Sequence, residues 1–389
     1  MEGPGLGAAV RHEWTLDDDA VFLNHGSFGA TPRVVLDRQA EWRAQMERQP
    51  VLFMNEIVPQ ALRESAGILG GFVGAEGTDL VFTANATAAV NAVLSSLPLR
   101  PGDQVVTTAQ AYPAVRNALR HYCRSAGTDL TVIPLPLPVA NEAAVTAAVE
   151  AALTSKTRLA VFDHVTSHSA IILPVAALAA LCRDRGVLVL IDGAHAPGML
   201  DLDIAGLGVD WYAGNCHKWL CAPKGAGFLW ARGDRQDILH PTVISNQYGH
   251  GFTAEFDWTG TADPTPALSV PAAIDFHETL GGAGLRAHNA SLADKAARSL
   301  VDRLGTEAAA PAAMRGAMAA VRLPPSAGQG WETAAALHDR LWHEHRIEVP
   351  VLAIDDALWV RISAQAYNAF PDYVRLGDAL ERMGVGSLP

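Results

Sequence analysis

The sequence predicts an α/β fold, with a large domain built on a mostly parallel, helix-covered sheet and a smaller α+β domain at the carboxyl end. Three observations lead there. Short β-branched or apolar runs alternate with helical patterns from about residue 79 to residue 231, and parallel neighbours need long crossover connections that also shield both sheet faces. After Pro264 the alternation gives way to helical patterns alone. The final stretch mixes two strands with two helices. A chain of 389 residues is long enough to give each unit its own core.

In chain order, residues 79–83 read as a strand, 87–97 as a helix, 104–108 as a strand and 113–125 as a helix. Strand 130–135, helix 142–153, strand 159–165, helix 174–185 and strand 187–192 continue the alternation, and the Gly-rich run 225–230 supplies a further strand. The apolar run 170–182 is interrupted by Pro174 and is too short to cross a bilayer, so it reads as a buried strand-to-helix junction. Helices follow at 270–280 and 291–304, then an Ala- and Pro-rich stretch at 307–311. Helix 332–345, strands 347–354 and 358–363 and helix 372–383 form the mixed carboxyl-terminal unit. Gly281-Gly282-Ala283-Gly284 reads as a bend or helix stop, because no strand precedes it as a phosphate loop requires. No internal repeat and no long disordered tract interrupts this pattern.

Composition narrows the function. With 29 Lys+Arg against 41 Asp+Glu the net charge is −12, and no basic block is present. That balance argues against nucleic acid or an anionic membrane as partner and leaves a small molecule or another copy of the chain. Cys123, Cys182, Cys216 and Cys221 fall in no paired metal spacing and do not read as a disulfide framework. Residues 1–11 lack the basic start and apolar stretch of a signal peptide. A soluble protein of the reducing cytoplasm, without a metal site, is expected.

The chemistry concentrates at the ends of strands, where ligands bind in open α/β sheets. The run Val187-Leu-Val-Leu-Ile-Asp192 ends an apolar strand in an acid, and Asn215-Cys216-His217-Lys218 follows with an amine in a polar turn. Together they supply two groups that pyridoxal phosphate needs: an amine to form a Schiff base with its aldehyde, and a carboxylate to keep its pyridine nitrogen protonated. Taken singly, Asp192 fits a helix cap or a metal ligand equally well, and a lysine is usually solvated. Lys218, however, is bracketed by Tyr212, Trp219, Leu220 and the run 225–230, a setting whose partial desolvation lowers an amine's pKa. Asn85-Ala86-Thr87 runs from a strand into a helix whose first turn offers free N–H groups, the positive dipole end and a hydroxyl. That is an anion cradle, although an ordinary N-cap explains the segment by itself. His195 either contacts the ring hydroxyl of such a cofactor or is a core histidine.

Five segments in register carry a resemblance. Asn-Ala-Thr at 85–87, Asp-x-x-His at 192–195, Asn-x-His-Lys at 215–218, Gly-Thr at 260–261 and Val-Arg-Ile-Ser at 360–363 resemble the class V aminotransferases in order and spacing over nearly the whole chain. Within that family the opening Leu23-Asn-His-Gly-Ser-Phe-Gly, the segment 49–53 and Trp258-Thr-Gly-Thr-Ala-Asp263 look most like the isopenicillin N epimerase group. The resemblance implies the fold type I architecture of pyridoxal phosphate enzymes, with a seven-stranded sheet. It implies roles that spacing cannot give: Tyr112 stacking on the cofactor face, where a core tyrosine is the alternative, and Ala86, Thr87, Asn215 and His217 at its phosphate. Gly260 and Thr261 would reach the phosphate of a neighbouring subunit, which implies a homodimer with shared sites. Arg361 would hold the substrate α-carboxylate, a task for its bidentate fork, and Asn24 and His25 would belong to a loop that covers the substrate. The implied partition is 1–30 as an amino-terminal segment joining the small domain and an active-site loop, 31–265 as the cofactor-binding domain, and 266–389 as the small domain with an interdomain helix.

The expected reaction begins at the Cα of an amino acid, with Lys218 as anchor and then base. Where the proton goes next separates epimerisation, transamination and β-elimination. Cysteine desulfurases of the family need a mobile cysteine in the carboxyl-terminal third, and no cysteine follows Cys221, so persulfide sulfur transfer is not expected. Epimerase-like or other specialised amino-acid chemistry ranks first and a C–S or other β-lyase second. A non-catalytic cofactor-binding regulator ranks last, because the chain keeps Lys218, Asp192 and Arg361 together.

Overall fold

The computed structural model describes residues 5–385; the first four residues of the amino-terminal stretch read above lie outside it. The chain enters through a two-residue strand, β1 (Val21–Phe22), and the large sheet follows. Its strands are β2 (Leu80–Thr83), β3 (Gln104–Thr108), β4 (Asp129–Ile133), β5 (Thr157–Asp163), β6 (Leu188–Gly193), β7 (Trp211–Asn215) and β8 (Gly227–Ala231). They lie in the order β2-β8-β7-β6-β5-β3-β4, and all pair in parallel except β8, which is antiparallel to both neighbours. The remaining strands are parallel to one another, so the carboxyl ends of β2, β3, β5, β6 and β7 share one edge.

Both faces of this sheet are covered, which is why its central strands are apolar at every position rather than alternately. Val189 and Ile191 of β6 enter one core with helices Val58–Val73, Glu142–Ala152, Val175–Arg183 and Val270–Thr279. Leu190 enters the other, with helices Ala86–Ser96 and Pro113–Ala126. Each fully buried Val, Leu or Ile in these layers contributes about 1.5–3 kcal/mol.

The smaller α+β unit is a three-stranded antiparallel sheet of β9 (Met318–Arg322), β11 (Val351–Ile354) and β12 (Ala357–Ser363), in the order β11-β12-β9. Helices Ala283–Leu304, Trp331–His345 and Phe370–Arg382 pack on it around Leu300, Leu341 and Leu376. β10 (Ile347–Glu348) pairs in parallel with β1, which ties the amino-terminal segment to this unit.

Most elements fall within two residues of the sequence reading, and the differences have physical causes. The single strand expected over 347–354 is two, because Pro350 has no N–H for a ladder and separates β10 from β11. β9 and β7 had no strand signal: Met-Ala-Ala-Val-Arg lacks a β-branched run, and Trp-Tyr-Ala-Gly-Asn ends in small and polar residues. Burial on both sides makes them strands. The helix expected from residue 291 begins at Ala283, directly after the bend at Gly281 and Gly282, both at positive φ.

Candidate active site

The shared carboxyl edge of the large sheet opens into a cavity of about 530 Å³ lined, among others, by Asn85, Thr87, Tyr112, Asp192, His195 and Lys218. They come from four strand ends: Asn85 and Thr87 after β2, Tyr112 after β3, Asp192 and His195 at the end of β6, and Lys218 after β7. Asn85 follows β2 and caps the helix Ala86–Ser96, its side-chain oxygen accepting the Ala88 N–H at 2.9 Å. Asn215, the last residue of β7, accepts the Ala86 N–H at 2.8 Å. The first-turn N–H of Thr87 is left without a protein partner among the described residues, at the positive end of an eleven-residue helix. Gly227 makes room for this corner, since a side chain there would collide with the Asn85 backbone.

Asp192 ends β6, almost fully buried, and one of its oxygens accepts the Ala194 N–H at 3.0 Å. Burial pushes its carboxyl pKa up, while that hydrogen bond and the Lys218 charge pull it down. Lys218 lies in the turn after β7, with Nζ 3.1 Å from His195 Nε2. The other ring nitrogen of His195 accepts the indole N–H of Trp219 at 3.3 Å. With Nδ1 an acceptor, the neutral imidazole carries its proton on Nε2 and donates it to Lys218 Nζ, which therefore presents a lone pair. That hydrogen bond favours the neutral amine, whose share at neutral pH is raised well above that of an ordinary lysine. Burial and the nearby Arg361 charge lower the Lys218 pKa to about 8, although Asp192 and Asp163 oppose the shift. The same burial and the Lys218 charge hold His195 neutral.

Tyr112 lines the cavity with its ring 39% exposed, in keeping with a group that awaits a contact rather than a core tyrosine. His217 also lines it, and burial lowers its pKa to about 4.

Other expected residues sit elsewhere. Arg361, on β12, is buried behind the cavity wall. Its Nη1 donates to the Ser167 carbonyl at 2.6 Å, and its Nη2 to Asn24 Oδ1 at 3.1 Å and Ser27 Oγ at 2.8 Å. Its Nε is buried without a partner among the described residues, and burial lowers its pKa to about 10. Ser27 and Ser167, which sequence reasoning did not single out, line the cavity in front of it. Asn24 anchors this cluster, donating to Glu348 at 2.7 Å.

His25, expected in a substrate-covering loop, is completely buried and does not line the cavity. Tyr367 OH donates to Nδ1 at 2.8 Å, and Nε2 donates to the Lys218 carbonyl at 3.0 Å. His25 therefore holds the backbone of the lysine turn, and burial lowers its pKa to about 3. Gly260 and Thr261 are exposed and do not line the Lys218 cavity. The missed Asp163 ends β5 as Asp192 ends β6, pairs with it in register and lines the same cavity. Its signal was in the sequence, an apolar run closing in an acid.

A buried amine of lowered pKa, a strand-end carboxylate, a free helix N-terminus and an accessible aromatic ring are the donor set of a fold type I pyridoxal phosphate enzyme, and the residues present fit that cofactor. Comparison with known proteins gives the family. The chain belongs to the aminotransferase class-V family, whose model matches residues 29–336. It is 37% identical to the isopenicillin N epimerase of Streptomyces clavuligerus, over 96% of this chain and 97% of that protein. It is 34% identical to putative L-cysteine desulfhydrase 1 of Oryza sativa subsp. japonica, over 97% and 86% respectively. A solved C-DES mutant with glycine covalently linked to the PLP cofactor superposes with a TM-score of 0.83 at 23% identity, covering 95% of this chain and 98% of that one. That likeness establishes the fold. Among the described residues no cluster of His, Cys, Asp and Glu could hold a metal, and no helix is long and apolar enough to cross a membrane.

Proposed function

We propose that this chain acts on the Cα of an amino acid or amino-acid derivative, with pyridoxal phosphate bound at Lys218, and that its chemistry is epimerase-like. The observation that carries the reading is the buried Lys218 amine, its pKa lowered to about 8, held at 3.1 Å from His195 in a cavity that also presents Asp192. Bound there, the cofactor withdraws electrons from Cα. The chain's residues do the rest. Asp192 would keep the ring nitrogen protonated, Thr87, Ala86, Asn85, Asn215 and His217 would hold the phosphate, His195 would serve the ring hydroxyl, and Tyr112 would cover the ring face. Lys218 removes the Cα proton on one face, and inversion requires a proton delivered to the opposite face. Arg361, with Asn24 and Ser27 as its present partners, receives the substrate carboxylate.

β-Elimination from a sulfur-bearing amino acid is the second reading, supported by the identity to the rice desulfhydrase. All four cysteines are buried and unpaired, which supports neither reading's use of a protein persulfide and favours a reducing, cytoplasmic setting.

A homodimer completes the site in this proposal. An apolar cavity of about 400 Å³ beside the Lys218 cavity shares Ala84 and Gly225 with it and includes Val243, Trp258 and Gly260 in its walls. Exposed Ile244 and Tyr248 lie close by in sequence. Such a surface suits a second copy that brings its Gly260 and Thr261 to this phosphate. The partition 1–30, 31–265 and 266–389 is proposed with it, supported by the two sheets falling within the second and third intervals.

The test is incubation of candidate amino acids with the holoenzyme in deuterated water. Cα deuterium with inverted chirality is expected, while keto acid released without an amino acceptor would replace the first reading by the second. Lys218→Ala should lose borohydride-fixable cofactor and about 10²–10⁴-fold in Cα exchange. A wild-type protein that takes up no pyridoxal phosphate would sink the whole reading.

A further inference from the structure

The mechanism above uses one carboxylate, and the site holds two. β5 and β6 are parallel neighbours with Asp163 directly opposite Asp192, so their Cα atoms are separated by roughly 4.8 Å, the spacing of adjacent strands. Both side chains leave the same face of the sheet. Val161 and Leu159, two and four residues before Asp163, join the core that Leu190, two before Asp192, also joins. Asp163 is 3% exposed and Asp192 4%, yet both reach the Lys218 cavity. Among the described residues no arginine or lysine forms an ion pair with either within 4.0 Å. The protein hydrogen bonds available are few: the Tyr112 N–H to Asp163 at 3.3 Å and the Ala194 N–H to Asp192 at 3.0 Å.

Two carboxylates side by side in a buried site cannot both ionise; one keeps a proton and offers it to the other. We propose that Asp163 is that acid, a neutral carboxyl that donates a hydrogen bond to the Asp192 carboxylate and so sets how strongly Asp192 holds the proton of the cofactor's ring nitrogen. Asp163 is the natural holder. Burial and the Asp192 charge both raise its pKa well above the usual carboxylate range, whereas Asp192 has the shorter amide bond, at 3.0 Å against 3.3 Å. The groups facing the pair are Lys218 from the turn after β7, which favours the charged form of each, and Tyr212 of β7. Tyr212 is tied through its hydroxyl to His164 at 2.8 Å, and burial keeps both of these neutral. Asp163 is thus a positioning residue acting through Asp192. It rests on the cofactor reading only in its consequence for the ring.

Infrared spectra of the holoenzyme test the proton directly. At about pH 8, where Asp257, raised to about 6, is ionised, wild type minus Asp163→Asn should contain one protonated-carboxyl C=O band that shifts in heavy water. Absence of that band overturns the proposal. The visible absorption of bound cofactor tests the consequence. Asp163→Asn, which keeps a neutral donor, should titrate as the wild type does, whereas Asp163→Leu should move the midpoint by about one unit, a tenfold change in proton affinity. Equal titration of the two variants overturns the hydrogen bond to Asp192. Asp163→Ala replaces the leucine variant if that fails to fold, with near-ultraviolet circular dichroism as the check. If wild type binds no cofactor but the carboxyl band is present, the cofactor reading fails and the carboxyl pair stands.

Discussion

The chemistry of Lys218 is set by its surroundings. An ordinary lysine leaves about one amine in a few thousand neutral at pH 7; with its pKa lowered to about 8, roughly one in ten is neutral. Capture of an aldehyde needs the neutral form. The rate at which apoprotein develops the visible band with added pyridoxal phosphate should therefore rise with pH up to about 8 and then level off, measured by stopped-flow absorbance. A rise continuing towards 10.5 would contradict the buried, His195-bonded amine. At this scale the sequence was informative wherever a residue type ends an element: Asn85, Asp192 and Lys218 were legible because a cap, a strand-end acid and a desolvated amine each leave a local mark. His25 was not, because its role depends on Tyr367 and on the Lys218 carbonyl, which lie far along the chain.

At the scale of elements, two short connections hold the site. The one-turn helix His25–Phe28 passes directly behind the lysine turn, and at Gly29, with φ +69, any side chain would run into the His217 carbonyl. Gly29→Ala should cost about 1–3 kcal/mol in chemical unfolding and loosen Lys218, seen as weaker cofactor retention. His25 gives the same turn a pH dependence. The unfolded chain protonates this histidine near pH 6.5 and the folded chain only near 3, so between those values the unfolded state binds more protons. Stability then falls as pH drops below about 6.5, by up to about 1.4 kcal/mol per unit until about pH 3. Urea melts of wild type and His25→Gln should show a shallower acid limb in the variant. At the phosphate end, Asn85→Ala removes a cap worth about 1 kcal/mol and should weaken cofactor binding as well. The alternating elements of the large sheet were legible from periodicity, while β7 and β9 were set by burial between neighbours, which no local pattern records.

For the whole molecule, the proposed dimer predicts a sedimenting mass twice the 41.2 kDa of the chain. Placing a charge in the apolar surface, as in Ile244→Asp, should give monomer and about tenfold weaker cofactor retention, since an unpaired charge buried at an interface is costly. Chain-level architecture also bears on how the site comes to exist. β1 pairs with β10, and Arg361 bonds Asn24 and Ser27, so the wall behind the lysine is made from two segments that leave the ribosome at opposite ends of synthesis. At about 5–20 residues per second, Arg361 is made roughly 7–30 seconds after Lys218. Through that interval a nascent chain holds a reactive amine with half its enclosure missing. Firm retention of the cofactor then becomes a mark of a finished chain, and a protein truncated before β12 should be made, fold its large sheet, and let the cofactor go.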